Sequence, residues 1–357
     1  MSLRQAIGQL FILGVEGHEP SPALEAFVRE MAPGGLILFS RNLRGPAEIA
    51  ALTAALQAAS STPLLIAIDQ EGGAVARLAP PFTQWPGASR VAAVRSSRLT
   101  YAMAQAMATE MLAVGITMNM APVLDVLSNP ANPVMAGRCF GGDPQVVAEL
   151  GTAFLRGLDD RGVLAVGKHF PGHGDTTIDS HLALPVVAHT FARLQAVELV
   201  PFVKAIGEGI PALMAAHLLV PALDAARPAT LSEPILTTLL RDRLRFSGLI
   251  LSDDLLMRGI ADTTAPGEAA VRFLEAGGDL ILICSDEAAQ REALAAVAGA
   301  VESGRLSEAR VRASCDRIAQ TKARYLRGAI RASADTIREV VGCDAHRRLA
   351  DLLQGEP

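Results

Sequence analysis

The chain is predicted to be an α/β protein that folds as a single-domain (β/α)8 barrel of the TIM type. Three observations support this fold class: eight short apolar runs recur along the 357 residues, segments with helical periodicity separate them, and no Pro/Ser/Gly-rich linker divides the chain. The runs are continuously apolar, which is typical of parallel strands covered on both faces. Eight strand–helix units in series favour a barrel, because an open doubly wound sheet of eight strands would be larger than usual.

In chain order, the predicted strands are residues 10–15, 35–39, 64–69, 116–122, 164–170, 212–218, 249–254 and 280–284. Ala/Leu-rich helical segments lie between them, among them residues 22–31, 47–59, 99–114 and 145–161. The last barrel helix is predicted to run from Glu308 to about Leu326. Residues 1–330 are therefore assigned to the barrel, and residues 331–357 to a helical C-terminal extension.

Composition argues against several classes of function. The net charge is -5 and no dense Lys/Arg run is present, so we expect no nucleic-acid partner. The four cysteines are scattered without a Cys-x-x-Cys pair, which indicates neither a metal site nor a disulfide framework. The apolar run at residues 10–15 is too short for a signal sequence or a membrane span, which predicts a cytoplasmic protein without a membrane partner. GxGxxG and P-loop signatures are missing, and we expect no cofactor.

Polar residues stand at the ends of several predicted strands, where a barrel places its chemistry. A single charged residue at a strand end could form a structural ion pair, but several that converge on one rim favour a functional site, because buried charge is costly unless it is paired or used. These residues are Asp69, Lys168, His169, His217, Asp253 and Asp254.

The densest cluster of polar residues is the segment 168–185, which contains His169, His173 and His181. Histidine and aspartate clusters also ligate zinc, yet no His-x-x-x-His or comparable template is present, so we predict no metal. A loop that merely packs on itself would explain its glycines, but not the Asp179-Ser180-His181 triplet.

The Asp179-Ser180-His181 triplet and the two aspartates at residues 253 and 254 suggest a pair of catalytic groups. Residues two apart can lie on one side of an extended segment, and a carboxylate beside imidazole fixes its tautomer and raises its basicity, which suits His181 as general acid and base. Asp253, at the end of a buried strand, is the predicted nucleophile for a glycosidic bond. Asp254 is the alternative candidate for the nucleophile. Strand alternation predicts that only one of the two carboxylates reaches the pocket, and spacing alone does not say which.

The sequence resembles the family 3 glycoside hydrolases, specifically the bacterial β-N-acetylglucosaminidases of cell-wall recycling. The matching motifs occur in family order and are IDQEGG (68–73), GRCFGGDP (137–144), KHFPGHGDTTIDSH (168–181) and SDDLLM (252–257). The resemblance implies Asp253 as nucleophile, His181 as acid/base and Asp179 as its partner. It also implies sugar-binding roles for Asp69, Arg77, Arg138, Lys168 and His169. The family's usual basic residue after EGG is here Ala74, and its usual Ser before Phe is Cys139, which bears on fine specificity.

The resemblance further implies removal of a terminal, non-reducing β-linked N-acetylglucosamine from cytoplasmic peptidoglycan fragments, such as its disaccharide with 1,6-anhydro-N-acetylmuramic acid. Aromatic residues make up only 4% of the chain and Trp85 is the sole tryptophan, so recognition should rest on charge-assisted hydrogen bonds in a small site for one sugar. We expect the protein to act as a monomer on a small-molecule carbohydrate. Two alternatives remain open: a phosphorylase of the same family, since histidine would not repel phosphate, and a non-catalytic sugar-binding barrel.

Overall fold

Eight parallel strands close into a barrel, in sequence order, in the computed structural model, which describes residues 2–327 and 334–355. The last strand pairs with the first, with Leu282 opposite Ile12, so the sheet has no free edge. The predicted (β/α)8 fold is thus confirmed. The strands are β1 (Phe11–Gly14), β2 (Gly35–Leu38), β3 (Leu65–Ile68), β4 (Met118–Asn119), β5 (Leu164–Phe170), β6 (Ala212–Ala215), β7 (Leu249–Asp254) and β8 (Leu280–Ile283).

The strands agree with the predicted apolar runs except at their ends. β5 and β7 have the predicted bounds, whereas β4 keeps only two of its seven predicted residues. Pro122 has no amide hydrogen to donate to a ladder, and Thr117 uses its hydroxyl to accept the amide of Ile66 at 3.1 Å. β6 ends before His217, which therefore lies in the loop that follows.

Helices surround the barrel, and many begin at residues that the sequence marks as caps. The side chains of Ser21, Ser96, Asp143 and Thr190 each accept a backbone amide at the start of a helix. The helices up to β8 are α1 (Leu3–Gly8), α2 (Pro22–Met31), α3 (Pro46–Ala59), α4 (Ala88–Ala93), α5 (Ser97–Ala113), α6 (Pro144–Asp160), α7 (Phe191–Ala196), α8 (Val200–Gly207), α9 (Arg258–Ala261) and α10 (Pro266–Glu275), with a π-helical segment at Pro234–Arg243.

After β8 come α11 (Glu287–Glu302) and α12 (Glu308–Tyr325), and their positions correct the predicted last barrel helix. The helix of the outer ring that follows β8 is α11, which packs beside α10 and pairs through Arg291 with Glu30 of α2. α12 instead crosses the N-terminal mouth of the barrel. Its contacts run from Asp279, at the start of β8, through Gln9, just before β1, to Asp159, at the end of α6.

Two further helices, α13 (Ala334–Val340) and α14 (Asp344–Gln354), fold back against α5. The predicted boundary between residues 330 and 331 lies outside the described residues. Buried Glu110 of α5 accepts hydrogen bonds from His346 Nδ1 at 2.7 Å and from the Gly342 amide at 3.1 Å, and it also accepts the amide and hydroxyl of Thr83. The extension is therefore attached to the loop after β3. No helix in the described ranges is long and apolar enough to cross a membrane.

Candidate active site

A cavity of about 230 Å³ opens at the C-terminal ends of the strands. It contains seven of the eight residues predicted for the site, and the eighth, Asp179, contacts one of the seven. The polar side chains that line it are Asp69, Arg77, Arg138, Lys168, His169, His173, Ser180, His181, Asp253 and Asp254.

One wall of the cavity is a network of buried charges. Lys168, at the end of β5, lies 2.8 Å from Asp69 and 2.7 Å from Glu71, and Arg138 donates two hydrogen bonds to Glu71 at 2.7 and 2.9 Å. Burial alone would raise the pKa of Glu71, but Lys168 and Arg138 lower it to about 2. Burial opposes the charge on Lys168, yet Asp69 and Glu71 raise its pKa above the ordinary value. Lys168, Arg138 and Glu71 therefore remain ionised at neutral pH.

The turn that carries Glu71 depends on two glycines. Gly72 and Gly73 have φ angles of +95° and +61°, and a Cβ at Gly72 would lie 2.5 Å from the carbonyl oxygen of Pro86. The amide of Gly73 donates to Trp85 O at 2.8 Å. Only glycine fits this close approach at positive φ, which explains the two glycines of the IDQEGG motif.

Asp253 and Asp254, at the end of β7, both border the cavity. The prediction that only one of them would reach it is wrong, because the pairing of β7 with β8 shifts register between Leu251 and Asp254 and interrupts the alternation. Their environments differ. Burial would raise the pKa of Asp253, but His217 and His169 lower it, whereas burial raises the pKa of Asp254.

Asp254 is also engaged by the backbone. One of its carboxylate oxygens accepts the amides of Leu256 and Cys284, each at 3.2 Å. Asp253 accepts the amide of Asp254 at 2.8 Å and keeps its other oxygen free of hydrogen bonds from the described residues. Asp253 is therefore the carboxylate that is ionised and available.

His169 and His173 are held in place by one buried carboxylate, Asp125. It lies 2.7 Å from His169 Nδ1 and accepts the amides of both histidines. His173 is further fixed between the hydroxyls of Thr176, at 2.8 Å, and Ser180, at 3.1 Å, and burial lowers its pKa. Both rings are thus rigid, and His173 holds the loop, as its place between two glycines suggests.

His181 differs from these two histidines because its side chain is 64% exposed. Its Nδ1 lies 2.8 Å from Asp179, which also accepts the His181 amide at 2.9 Å. Between them, Ser180 is buried and its carbonyl accepts the amide of Gly259 at 3.0 Å. The loop is therefore anchored at Ser180, while the Asp179–His181 pair projects into solvent with Nε2 of the imidazole unbound by any described residue.

Arg77 lies near the mouth of the cavity, with its guanidinium 5.8 Å from the centre of the Phe39 ring and 3.8 Å from Asp69. Its Nε is buried and has no hydrogen-bond partner among the described residues. Arg77 therefore places a cation beside Asp69 at the edge of the cavity.

Three important residues received no role from the sequence: Glu71, Asp125 and His217. Glu71 lies within the IDQEGG motif. Its role could have been predicted because the buried cations Lys168 and Arg138 require counter-charges. His217, noted only as a strand-end residue, donates through Nε2 to the carbonyl of Asp254 at 2.9 Å. Asp125 belongs to no periodic pattern in the sequence. Its contact with His169 becomes apparent only once β4 and β5 pair in the barrel. Within the described residues, no three His, Cys, Asp or Glu side chains are arranged to hold a metal ion.

Comparison with known proteins gives consistent matches. The family model for the glycosyl hydrolase family 3 N-terminal domain matches residues 2–321. A β-hexosaminidase of Nitrosospira multiformis is 38% identical over 290 residues, 80% of this chain and 82% of that protein. The structure of a family 3 β-N-acetylglucosaminidase from Paenibacillus sp. is 42% identical, with a TM-score of 0.96 over 99% of this chain and 68% of that one. NagZ from Neisseria gonorrhoeae, solved with N-trifluoroacetyl-D-glucosamine, is 29% identical, with a TM-score of 0.81 over 98% and 97% of the two chains.

Proposed function

The chain is a glycoside hydrolase that belongs to family 3, and on that premise we propose that it is a retaining exo-β-N-acetylglucosaminidase. The proposal is that Asp253 attacks the anomeric carbon of a terminal N-acetylglucosamine while His181 protonates the leaving oxygen. The observation that carries it is the contrast between the two groups: an ionised carboxylate fixed at the end of a strand, and an exposed imidazole on a loop that borders the same cavity.

In the first step, a carboxylate oxygen of Asp253 forms a bond to the anomeric carbon, the glycosidic C–O bond breaks, and the proton on His181 Nε2 passes to the leaving oxygen. In the second step, neutral His181 removes a proton from water, the water oxygen bonds to the anomeric carbon, and the ester with Asp253 breaks. Asp179 stabilises the imidazolium and fixes Nδ1 as its donor, so that Nε2 carries the moving proton.

The rest of the cavity is proposed to hold one sugar ring. Its volume of about 230 Å³ is below the range of about 300–1,000 Å³ that is typical for drug-sized ligands. Asp69, Arg77, Arg138, Lys168 and His169 offer charged or polar groups for sugar hydroxyls, and hydrogen bonds to charged groups are the stronger ones. A site with room for one ring supports exo-action on a chain end.

We also propose that the natural substrates are cytoplasmic peptidoglycan fragments, in which N-acetylglucosamine is linked to 1,6-anhydro-N-acetylmuramic acid. The four cysteines are free, which suits a reducing compartment. That disaccharide should be incubated with the protein, with and without phosphate, and the products followed by proton NMR, with Asp253→Asn as control. The proposal predicts N-acetylglucosamine with the β-anomer formed first. An α-anomer as first product contradicts retention, and N-acetylglucosamine 1-phosphate would identify a phosphorylase.

A further inference from the structure

Lysine is rare in this chain, and one of its three lysines is buried far from the active site. The chain has 32 lysines and arginines in all, of which only Lys168, Lys204 and Lys322 are lysines. Lys168 is surrounded by carboxylates, and exposed Lys204 pairs with Glu208 at 2.9 Å. Lys322 of α12 is only 7% exposed, and among the described residues no carboxylate lies within ion-pair distance of its amine.

Among the described residues, the only hydrogen-bond partner of the Lys322 amine is a neutral amide. Its Nζ donates to Gln9 Oε1 at 2.7 Å, and the orientation of that amide is fixed because Gln9 Nε2 donates to the carbonyls of Ala32 and Pro33. An ammonium group has three N–H donors, so two of them are left without a partner that the structure shows. Burial lowers the pKa of Lys322 to about 7, and the nearby Cys315 thiol offsets the loss of water only in part.

Lys322 borders a cavity of about 370 Å³ at the N-terminal mouth of the barrel, the end opposite the active site. Its walls are mainly apolar. Pro63 forms one side, and Ile318 and Ala319 of α12 form the other, together with Leu326 just after the helix. The volume falls in the range of small-molecule sites. Both charged residues of the lining, Lys322 and Arg327, are cations, and none of the described lining residues is acidic.

We propose that this cavity is a second ligand site, which binds a monocarboxylate with an apolar tail. The carboxylate head accepts hydrogen bonds from the free donors of Lys322 and supplies the counter-charge that the buried amine lacks. The tail lies against the apolar wall and removes that surface from water. The apolar lining, the buried cation and the absence of acidic side chains among the described lining residues together favour such a ligand. They disfavour a sugar, a cation or an uncharged apolar molecule.

Isothermal titration calorimetry of the full chain with octanoate tests the proposal, with octanamide and acetate as probes that lack the charge and the tail. Wild type should bind octanoate more tightly than either probe. Lys322→Met and Lys322→Gln should weaken octanoate binding by about tenfold or more, the loss expected for a hydrogen bond to a charged group. Lys204→Met, which removes an exposed lysine, should bind as wild type does.

Both Lys322 variants should keep wild-type glycosidase activity, which confirms that they are folded. Three results would overturn the proposal: no binding of octanoate to wild type, equal affinity for octanamide, or undiminished affinity in folded Lys322 variants. Because this cavity is at the other end of the barrel, the outcome is independent of the proposed glycosidase mechanism.

Discussion

Glu71 offers the sharpest test of the buried charge network, and the informative change is Glu71→Gln. The amide has nearly the same shape as the carboxylate, so packing is preserved while one negative charge is lost. Lys168 then keeps Asp69 as its ion-pair partner, whereas Arg138 keeps no carboxylate within ion-pair distance among the described residues. Because Arg138 and Lys168 line the cavity, the same change should disturb both folding stability and sugar binding.

The magnitude follows from the pKa of Glu71. A shift from the ordinary value of 4.5 to about 2 corresponds to about 3–4 kcal/mol at neutral pH, at about 1.4 kcal/mol per pH unit. Loss of one partner from a buried ion pair typically costs about 3–5 kcal/mol, which agrees. The folded-state pKa is depressed, so this stability is fully present above pH 4.5 and is lost as the pH falls toward 2.

Urea unfolding of the wild type, Glu71→Gln and a matched control measures this contribution to the free energy of unfolding. Glu302→Gln, an exposed glutamate at the end of α11, should unfold as wild type does. Glu71→Gln should be less stable by about 3–4 kcal/mol between pH 5 and 8, and the gap should begin to narrow below pH 4.5. Its KM for an aryl β-N-acetylglucosaminide should rise. If Glu71→Gln matches wild type in both stability and KM, the network does not hold the site together.

The remaining predictions concern the loop histidine and the C-terminal extension. His181→Ala should lose far more activity on substrates with poor leaving groups than on activated aryl glycosides, azide should partly restore turnover, and Asp179→Ala should show a milder form. The same pattern in His173→Ala, with His181→Ala unaffected, would move the proton carrier to residue 173. His346→Ala removes one of four donors to buried Glu110 and should cost about 1–3 kcal/mol of stability. The Trp85 ring lies 6.2 Å from the His346 ring, and the Trp85 carbonyl accepts the amide of Gly73 in the turn that carries Glu71. His346→Ala should therefore raise KM while kcat is retained, and His346→Asn should reverse much of the rise in KM. A fall in kcat at unchanged KM would instead mean general destabilisation, because only the folded fraction of the enzyme would have decreased.

The fold was predictable because the strands of a parallel barrel are buried on both faces and show as continuous apolar runs. The bounds of α2 were also predicted, whereas α5 and α6 begin slightly before the predicted segments. The place of α12 was not predictable. Its amphipathic pattern is the same whether it lies in the outer ring or across the mouth, and only contacts with Gln9 and Asp279 distinguish the two.

The candidate site was predictable where one short segment carries it, as for the Asp179–His181 pair. The site was harder to predict where the interacting residues come from different strands. Asp125 lies 44 residues from His169 in sequence, and no periodicity connects them. The presence of both Asp253 and Asp254 at the cavity was missed for a related reason: a register shift depends on the neighbouring strand β8, which the sequence of β7 does not contain.

The position of α12 and the pairing of β1 with β8 have a consequence for how the protein is made. Ribosomes release a chain from its N-terminus, at about 5–20 residues per second. β1 emerges early, but one of its edges stays unpaired until Leu282 has emerged, and the N-terminal mouth stays open until residues 308–325 follow. A nascent chain of up to about 280 residues therefore exposes a strand edge and a barrel interior, both prone to non-native association. Completion of the barrel must therefore wait for β8 and α12, which lie far downstream of β1 in the chain.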